Sequence, residues 1–268
     1  MKIGIDIRTL MDAQYSGVPE YTHNLVKEIL KLDPSTSSAP EGGQAGQVEN
    51  EFRFFYNSAR DLRGRMPKFD APNVEAVNLK YPNKILNYFL FKILNRPKID
   101  KLLGVDIFWM PHLNFISLSR GTKSVLTVHD LSFLRYPKFF SCRKNFWHRM
   151  VNVKKLVKKF DTIVAVSENT KNDIVELCGV APEKIKVIYS GVGEEYKKIT
   201  NKLQNNDSVK LQEVRKKYNL SDNFILYLGT IEPRKNIEGL IEAYGQLRMK
   251  NKETPLPPFG RGAKGDYP

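Results

Sequence analysis

Cysteine is scarce in this sequence: Cys142 and Cys178 are the only two in 268 residues. That excludes a disulfide framework and a cysteine-based metal cluster, and it fits a reducing compartment. Long apolar runs are also missing. The strongest, YFLFKIL (Tyr88–Leu94) and FILYLGTI (Phe224–Ile231), fall well short of the roughly 18 apolar residues a bilayer-crossing helix requires. The amino terminus, MKIGIDIRTL, lacks the basic stretch, apolar run and small-residue cleavage site of a secretory leader. These absences point to a cytoplasmic protein. Acidic residues are outnumbered, 29 Asp and Glu against 43 Lys and Arg, for a net charge of +14. Such an excess suits an anionic partner: a membrane surface, a phosphorylated small molecule or nucleic acid. No nucleic-acid-binding module accompanies the charge, which counts against the last of these.

What is present is enough to build a core, with 41% hydrophobic residues and 11% aromatics. Ile3, Ile5 and Ile7 line one face of an opening strand, with small or polar residues between them. Pro19 sits at a plausible first helical turn, and Leu25, Val26, Ile29 and Leu32 follow at helical spacing. Further strands are predicted over Phe52–Tyr56, Asp106–Met110, Ser124–Val128, Thr162–Val166 and Lys186–Ile188, with Ser167 as the cap of a helix running to Leu177. Short apolar strands alternating with helices predict an α/β fold: a doubly wound parallel sheet from Met1 to Gly193, covered on both sides.

Two polar stretches interrupt that pattern. Pro34–Asn50 is rich in Ser, Gly, Pro and Gln and is expected to be a flexible insertion; 194–208 is expected to be a linker. Residues 209–252 then predict a helix over Val209–Tyr218, a buried strand over Phe224–Gly229 and a helix over Ile237–Arg248, the first βα unit of a second domain. The remainder, 253–268, is so rich in Pro and Gly that a disordered, non-native tail is expected and the second domain reads as truncated.

Ligands of open α/β sheets bind beyond the carboxyl ends of the strands. After the first strand come Asp12, Tyr15, Ser16, Gly17 and Val18, where a glycine before a helix lets backbone N–H groups approach a phosphate. That glycine equally serves as a simple turn. After the SVLTV strand come His129 and Asp130; such a histidine can hand a proton or a hydrogen bond to an anionic intermediate, or merely hold a neighbouring loop. His112 occupies the equivalent place after DIFWMP. In the second domain, Arg234 and Lys235 precede a helix, where paired cations oppose the helix dipole unless an anion sits between them. Basic residues also gather over 80–101 and 135–160, interleaved with Phe139, Phe140, Phe146 and Trp147, a composition suited to anionic head groups or to an ordinary solvated helix face.

GIDIRTL, SGVPEYTHNLVKEIL, TVHDLSFLRYP, VAVSENTKNDIVE, KVIYSGV and ILYLGTIEPRKNIEGLIEAY, in that order, resemble the retaining glycosyltransferases of family 4 (glycosyl transferases group 1), which have the GT-B fold. The resemblance runs from Met1 to about Met249, with Pro34–Asn50 as an insertion. It implies an amino-terminal acceptor domain and a carboxyl-terminal domain that binds a nucleotide-sugar. It implies transfer of a hexose, mannose among them, to a saccharide or lipid-linked acceptor as part of polysaccharide synthesis. Gly17 then matches the glycine beside the donor diphosphate, Lys235 the lysine that holds it, and His129 with Asp130 the histidine–aspartate motif at the reacting centre. Thr230 stands where many members have arginine, and Arg234 is the candidate substitute. Tyr15 and His112 are acceptor-side candidates. The nucleotide-sugar is a substrate, so neither cofactor nor metal is expected, and nucleic acid is not an expected partner.

The family's late glutamate pair, eight positions apart, is missing from the second domain; Glu20/Glu28, Glu41/Glu49 and Glu168/Glu176 have the spacing but lie in the first. The chain alone is therefore expected to transfer no sugar. The competing reading is a non-catalytic module that binds the acceptor or an anionic membrane, peripheral on its inner face.

Overall fold

A computed structural model describes residues 1–11, 17–33, 50–60, 62, 66–193, 205–220 and 224–250. The chain divides into two compact units, Met1–Gly193 and Glu194–Pro268.

Seven parallel strands form the sheet of the first unit: β1 (Lys2–Asp6), β2 (Glu51–Tyr56), β3 (Val74–Asn78), β4 (Ile107–Met110), β5 (Lys123–Val128), β6 (Thr162–Ala165) and β7 (Ile185–Val187), in the order β3-β2-β1-β4-β5-β6-β7. The order reverses at β1, which pairs with β2 on one side and β4 on the other. Period-two alternation sends side chains to both faces. On one, Ile5, Phe52, Phe54 and Trp109 meet Val26 and Leu30 of α1 (Gly17–Leu32). On the other, Phe55, Phe108, Met110, Leu126 and Ile163 share a core with the remaining helices. These are a π-helix (Ile85–Leu94), α2 (Ile99–Leu103), α3 (Ser132–Arg135), α4 (Cys142–Val151), α5 (Val153–Val157) and α6 (Glu168–Cys178). Gly4 makes room for the buried Phe108 ring of β4, from which a Cβ there would stand 2.8 Å.

The predicted strands all form within a residue or two of their expected ends in this unit, and Ser167 caps α6 by accepting from the Thr170 amide. β3 escaped the sequence reading because VEAVN is an edge strand with a charge in it, half exposed on both faces. In α1 the buried stripe is Pro19, Thr22, Val26 and Leu30; Leu32 is 81% exposed, because the helix ends there and leaves it beyond the core.

The second unit contains α7 (Asn205–Lys217) and α8 (Ile237–Lys250). Residues 205–208, expected in the linker, belong to α7. The predicted strand Phe224–Gly229 does not form: these residues pair with no strand, and Leu226 and Leu228 are 75% and 92% exposed. Apolar composition makes a strand only where a neighbour accepts its backbone hydrogen bonds, and the described residues of this unit supply none. The expected insertion up to Glu49, most of the linker and the expected disordered tail lie outside the described residues.

Candidate functional site

The carboxyl ends of β1, β4 and β5 lie side by side, so the residues that follow them converge on one edge of the sheet. After β1, Arg8 turns back onto Asp6 in a buried pair: Nε lies 2.9 Å from Oδ1 and Nη2 2.6 Å from Oδ2. Nη2 also donates to the Phe115 carbonyl at 2.8 Å, and the guanidinium lies over the ring of Phe55, 5.0 Å from its centroid. Burial alone would push the Asp6 carboxyl up, but the charge and hydrogen bonds of Arg8 outweigh it and hold it below the ordinary range.

After β4 comes His112, buried, with Nε2 3.9 Å from Asp6 Oδ2 and Nδ1 without a hydrogen-bond partner. Burial among these groups, with the Arg8 charge nearby, lowers its pKa to about 4 in spite of the attraction of Asp6. His112 is therefore neutral near pH 7.

After β5, His129 Nε2 lies 2.9 Å from the carbonyl oxygen of Pro111, the residue preceding His112. A carbonyl only accepts, so Nε2 carries the hydrogen and Nδ1 keeps its lone pair. Burial lowers the pKa of this histidine as well, although the Pro111 bond and Asp130 act in the opposite sense. Its backbone carbonyl accepts from Thr170 Oγ1 of α6. The ring stands edge-on to Tyr21 of α1 at 4.7 Å, which fixes the opening turns of α1 beside the end of β5. Gly17 starts that helix at φ +25°, a conformation that favours glycine. The positive dipole end of this helix makes the corner receptive to anions.

Of the two readings of His129, donor to an intermediate or holder of a neighbouring loop, Nε2 is engaged on the Pro111 loop, and the neutral ring has an acceptor at Nδ1. Asp130 is exposed, and its Oδ1 accepts from the amide and hydroxyl of Ser132, the first residue of α3, at 3.0 and 2.6 Å. The structure thus brings together Gly17, His112 and His129 with Asp130 alongside. Tyr15, Asp12 and Ser16 lie outside the described residues.

Arg234 and Lys235 lie in the second unit, on a single helical turn (Pro233–Lys235) ahead of α8. Arg234 Nε donates to Glu232 Oε2 at 2.7 Å, and Thr230 Oγ1 donates to Glu232 Oε1 at 3.1 Å, so an internal carboxylate already answers part of the cationic pair. Lys235 is exposed.

Sequence reasoning passed over Asp6, Arg8 and Tyr21. A signal was there: an acid and a base spaced by two within the apolar run GIDIRTL have to be paired if that run is buried. Among the described residues no group of three His, Cys, Asp or Glu is placed to hold a metal, and no helix is long and apolar enough to cross a membrane.

An open, doubly wound parallel sheet with two histidines and a helix N-terminus at its carboxyl edge is the arrangement in which α/β domains bind their ligands. The profile of Glycosyltransferase Family 4 matches residues 15–196, and the chain belongs to that family. Among curated relatives, the serotype-specific mannosyltransferase WbdA of Escherichia coli is 35% identical over 125 residues, covering 47% of this chain and 15% of that protein. O-antigen chain mannosyltransferase B of Escherichia coli is 25% identical over 252 residues, covering 88% of this chain and 58% of that one. The chain thus spans only part of the length of these relatives. Anabaena Alr3699/HepE, solved in complex with UDP and glucose, superposes with a TM-score of 0.52 at 15% identity, covering 92% of this chain and 58% of the other. That likeness establishes the fold, which is of the GT-B type.

Proposed function

We propose that this chain is the acceptor-side part of a glycosyltransferase that moves a hexose, mannose in the first instance, from a nucleotide-sugar to a saccharide or lipid-linked acceptor with retention at the anomeric carbon. The observation that carries the reading is His129: a neutral imidazole at the carboxyl end of β5, fixed by Pro111, Thr170 and Tyr21, with a lone pair left at Nδ1. Such a group accepts a hydrogen bond from a sugar hydroxyl. The mannosyltransferase names of the relatives support the sugar. In the reaction the acceptor oxygen bonds to the anomeric carbon, the bond to the nucleoside diphosphate breaks, and its electron pair leaves with the phosphate. The hydroxyl proton passes from the acceptor oxygen to the departing phosphate oxygen. Charge growing on the leaving phosphate is stabilised by the N-terminus of α1 at Gly17. The nucleotide-sugar is a substrate, and the scheme calls for no cofactor.

In this reading the described residues of the second unit, which contain no sheet, do not complete a donor pocket. Transfer therefore depends on further donor-side structure, and the working place is the cytoplasmic face of a membrane. The test offers a panel of nucleotide-hexoses and a lipid-linked saccharide to the chain alone and to the chain fused to a relative's donor-binding domain, with mass spectrometry as the readout. A product one hexose heavier from the fusion, lost in His129→Ala, is expected. No product from the fusion with any donor overturns the transferase reading, and turnover by the chain alone overturns the dependence on further structure.

A further inference from the structure

The net charge of this protein is not spread over it. Residues 80–101 and 135–160 contain 15 of the 43 Lys and Arg but only one of the 29 acids, Asp100; the rest of the chain, with 28 of each sign, is neutral. Asp100 is itself buried and bonded to Ser119 and Thr122, so it offers no counter-charge at the surface.

The fold joins the two segments. Lys92 of the π-helix donates to the Met150 carbonyl at the end of α4, and Tyr88 packs edge-on to Phe115, which packs in turn on Trp147 of α4. The π-helix is pinned at both ends. Before it, Asn57 holds Tyr81 and Asn83; after it, Ser117 Oγ donates to the carbonyl of the left-handed Asn95. Five-residue winding puts Leu86 and Phe91 together on the buried side. The opposite side is apolar as well and is uncovered: Phe89 and Ile93 are 52% and 69% exposed, and Ile85 and Leu94 are each 49% exposed. Lys80, Lys84 and Arg96 flank this stripe, and Arg143, Lys144 and Arg149 of the adjoining α4 are exposed beside an exposed Phe146.

We infer that the π-helix Ile85–Leu94 and the cations around it form a docking face for an anionic lipid bilayer. An apolar stripe between cations matches the two layers of a membrane surface: acyl chains for Phe89 and Ile93, anionic head groups for the lysines and arginines. A polyanion such as duplex DNA would satisfy the cations but leave the four apolar side chains in water. The helix follows β3 at the carboxyl edge of the sheet, so docking would present that edge to membrane-anchored molecules. The inference is independent of sugar transfer, since neither nucleotide nor sugar takes part.

The test is co-sedimentation of the full chain with vesicles of phosphatidylcholine alone or with a third phosphatidylglycerol. Binding is expected to the anionic vesicles, with release in about 1 M salt, where the screening length falls to about 3 Å. Phe89→Ser with Ile93→Ser is expected to weaken it about tenfold or more, with circular dichroism unchanged because both side chains are already half exposed. Lys84→Glu with Arg96→Glu provides a second variant that leaves all packing intact. Leu228→Ser, an exposed apolar site in the other unit, is expected to leave binding unchanged. Absence of binding to anionic vesicles overturns the inference. So does binding that survives both double variants, or duplex DNA bound as tightly as vesicles by the Phe89→Ser/Ile93→Ser chain.

Discussion

Two segments of this protein hold the same place in a strand–turn–helix plan and meet opposite fates. Lys2–Asp6 (KIGID), with alternating isoleucines, and Phe224–Leu228 (FILYL), apolar throughout, are each followed by charged residues and then a helix. The first lies between two parallel partners, with Ile5 1% exposed and Asp6 fully buried. The second has no partner among the described residues, and Leu228 is 92% exposed. The lesson is that a strand is a relation between segments, because its hydrogen bonds and half of its burial come from elsewhere in the chain.

The sharpest way to break the contrast is to attack the buried side. Arg8→Ala leaves the Asp6 carboxylate desolvated and unpaired, and is expected to cost about 3–5 kcal/mol in urea unfolding of the first unit followed by tryptophan fluorescence. Acid comes next. His112 has its folded pKa lowered to about 4 from an ordinary 6.5, so the unfolded chain binds the extra proton between those values. Stability is then complete above about pH 6.5 and falls as the pH drops toward 4, by about 3 kcal/mol in all. Urea midpoints measured across that window should show the slope, and His112→Asn should flatten it.

Gly4→Ala should cost about 1–3 kcal/mol, since its Cβ would stand 2.8 Å from the buried Phe108 ring and displace it from its packing. Leu228→Ala should stay within about 0.5 kcal/mol of the parent, the outcome for a side chain that touches little. Amide exchange offers a finer version of the same contrast: Ile5 and Asp6 are expected to be protected, while Leu226 and Leu228 exchange freely. Protection at Leu226 would mean that this run has found a partner.

The sheet of the first unit was largely legible because its strands are apolar on both faces and its helices start with recognisable caps, Ser167 above all. β3 was not, because an edge strand with Glu75 in it carries little hydrophobic signal. At the site, Gly17, His112 and His129 could be named from their places after apolar runs. Which nitrogen of His129 is free could not, since that depends on Pro111, 18 residues away. Nor could the sequence show that the Asp130 carboxylate accepts from the amide and hydroxyl of Ser132.

By itself, then, the amino-acid sequence determined the alternation of strands and helices, the class of fold, and the surplus of positive charge in two segments. Those are properties of composition and spacing, and they survive without knowledge of what lies opposite. Tertiary structure alone decided that Asp6, Arg8 and His112 form one buried group, with Arg8 reaching a carbonyl 107 residues along the chain. It also decided that the Phe89 face stays open while the Phe91 face closes. Burial and hydrogen bonding are settled by the partner that arrives, and for these residues the partner comes from a distant part of the chain.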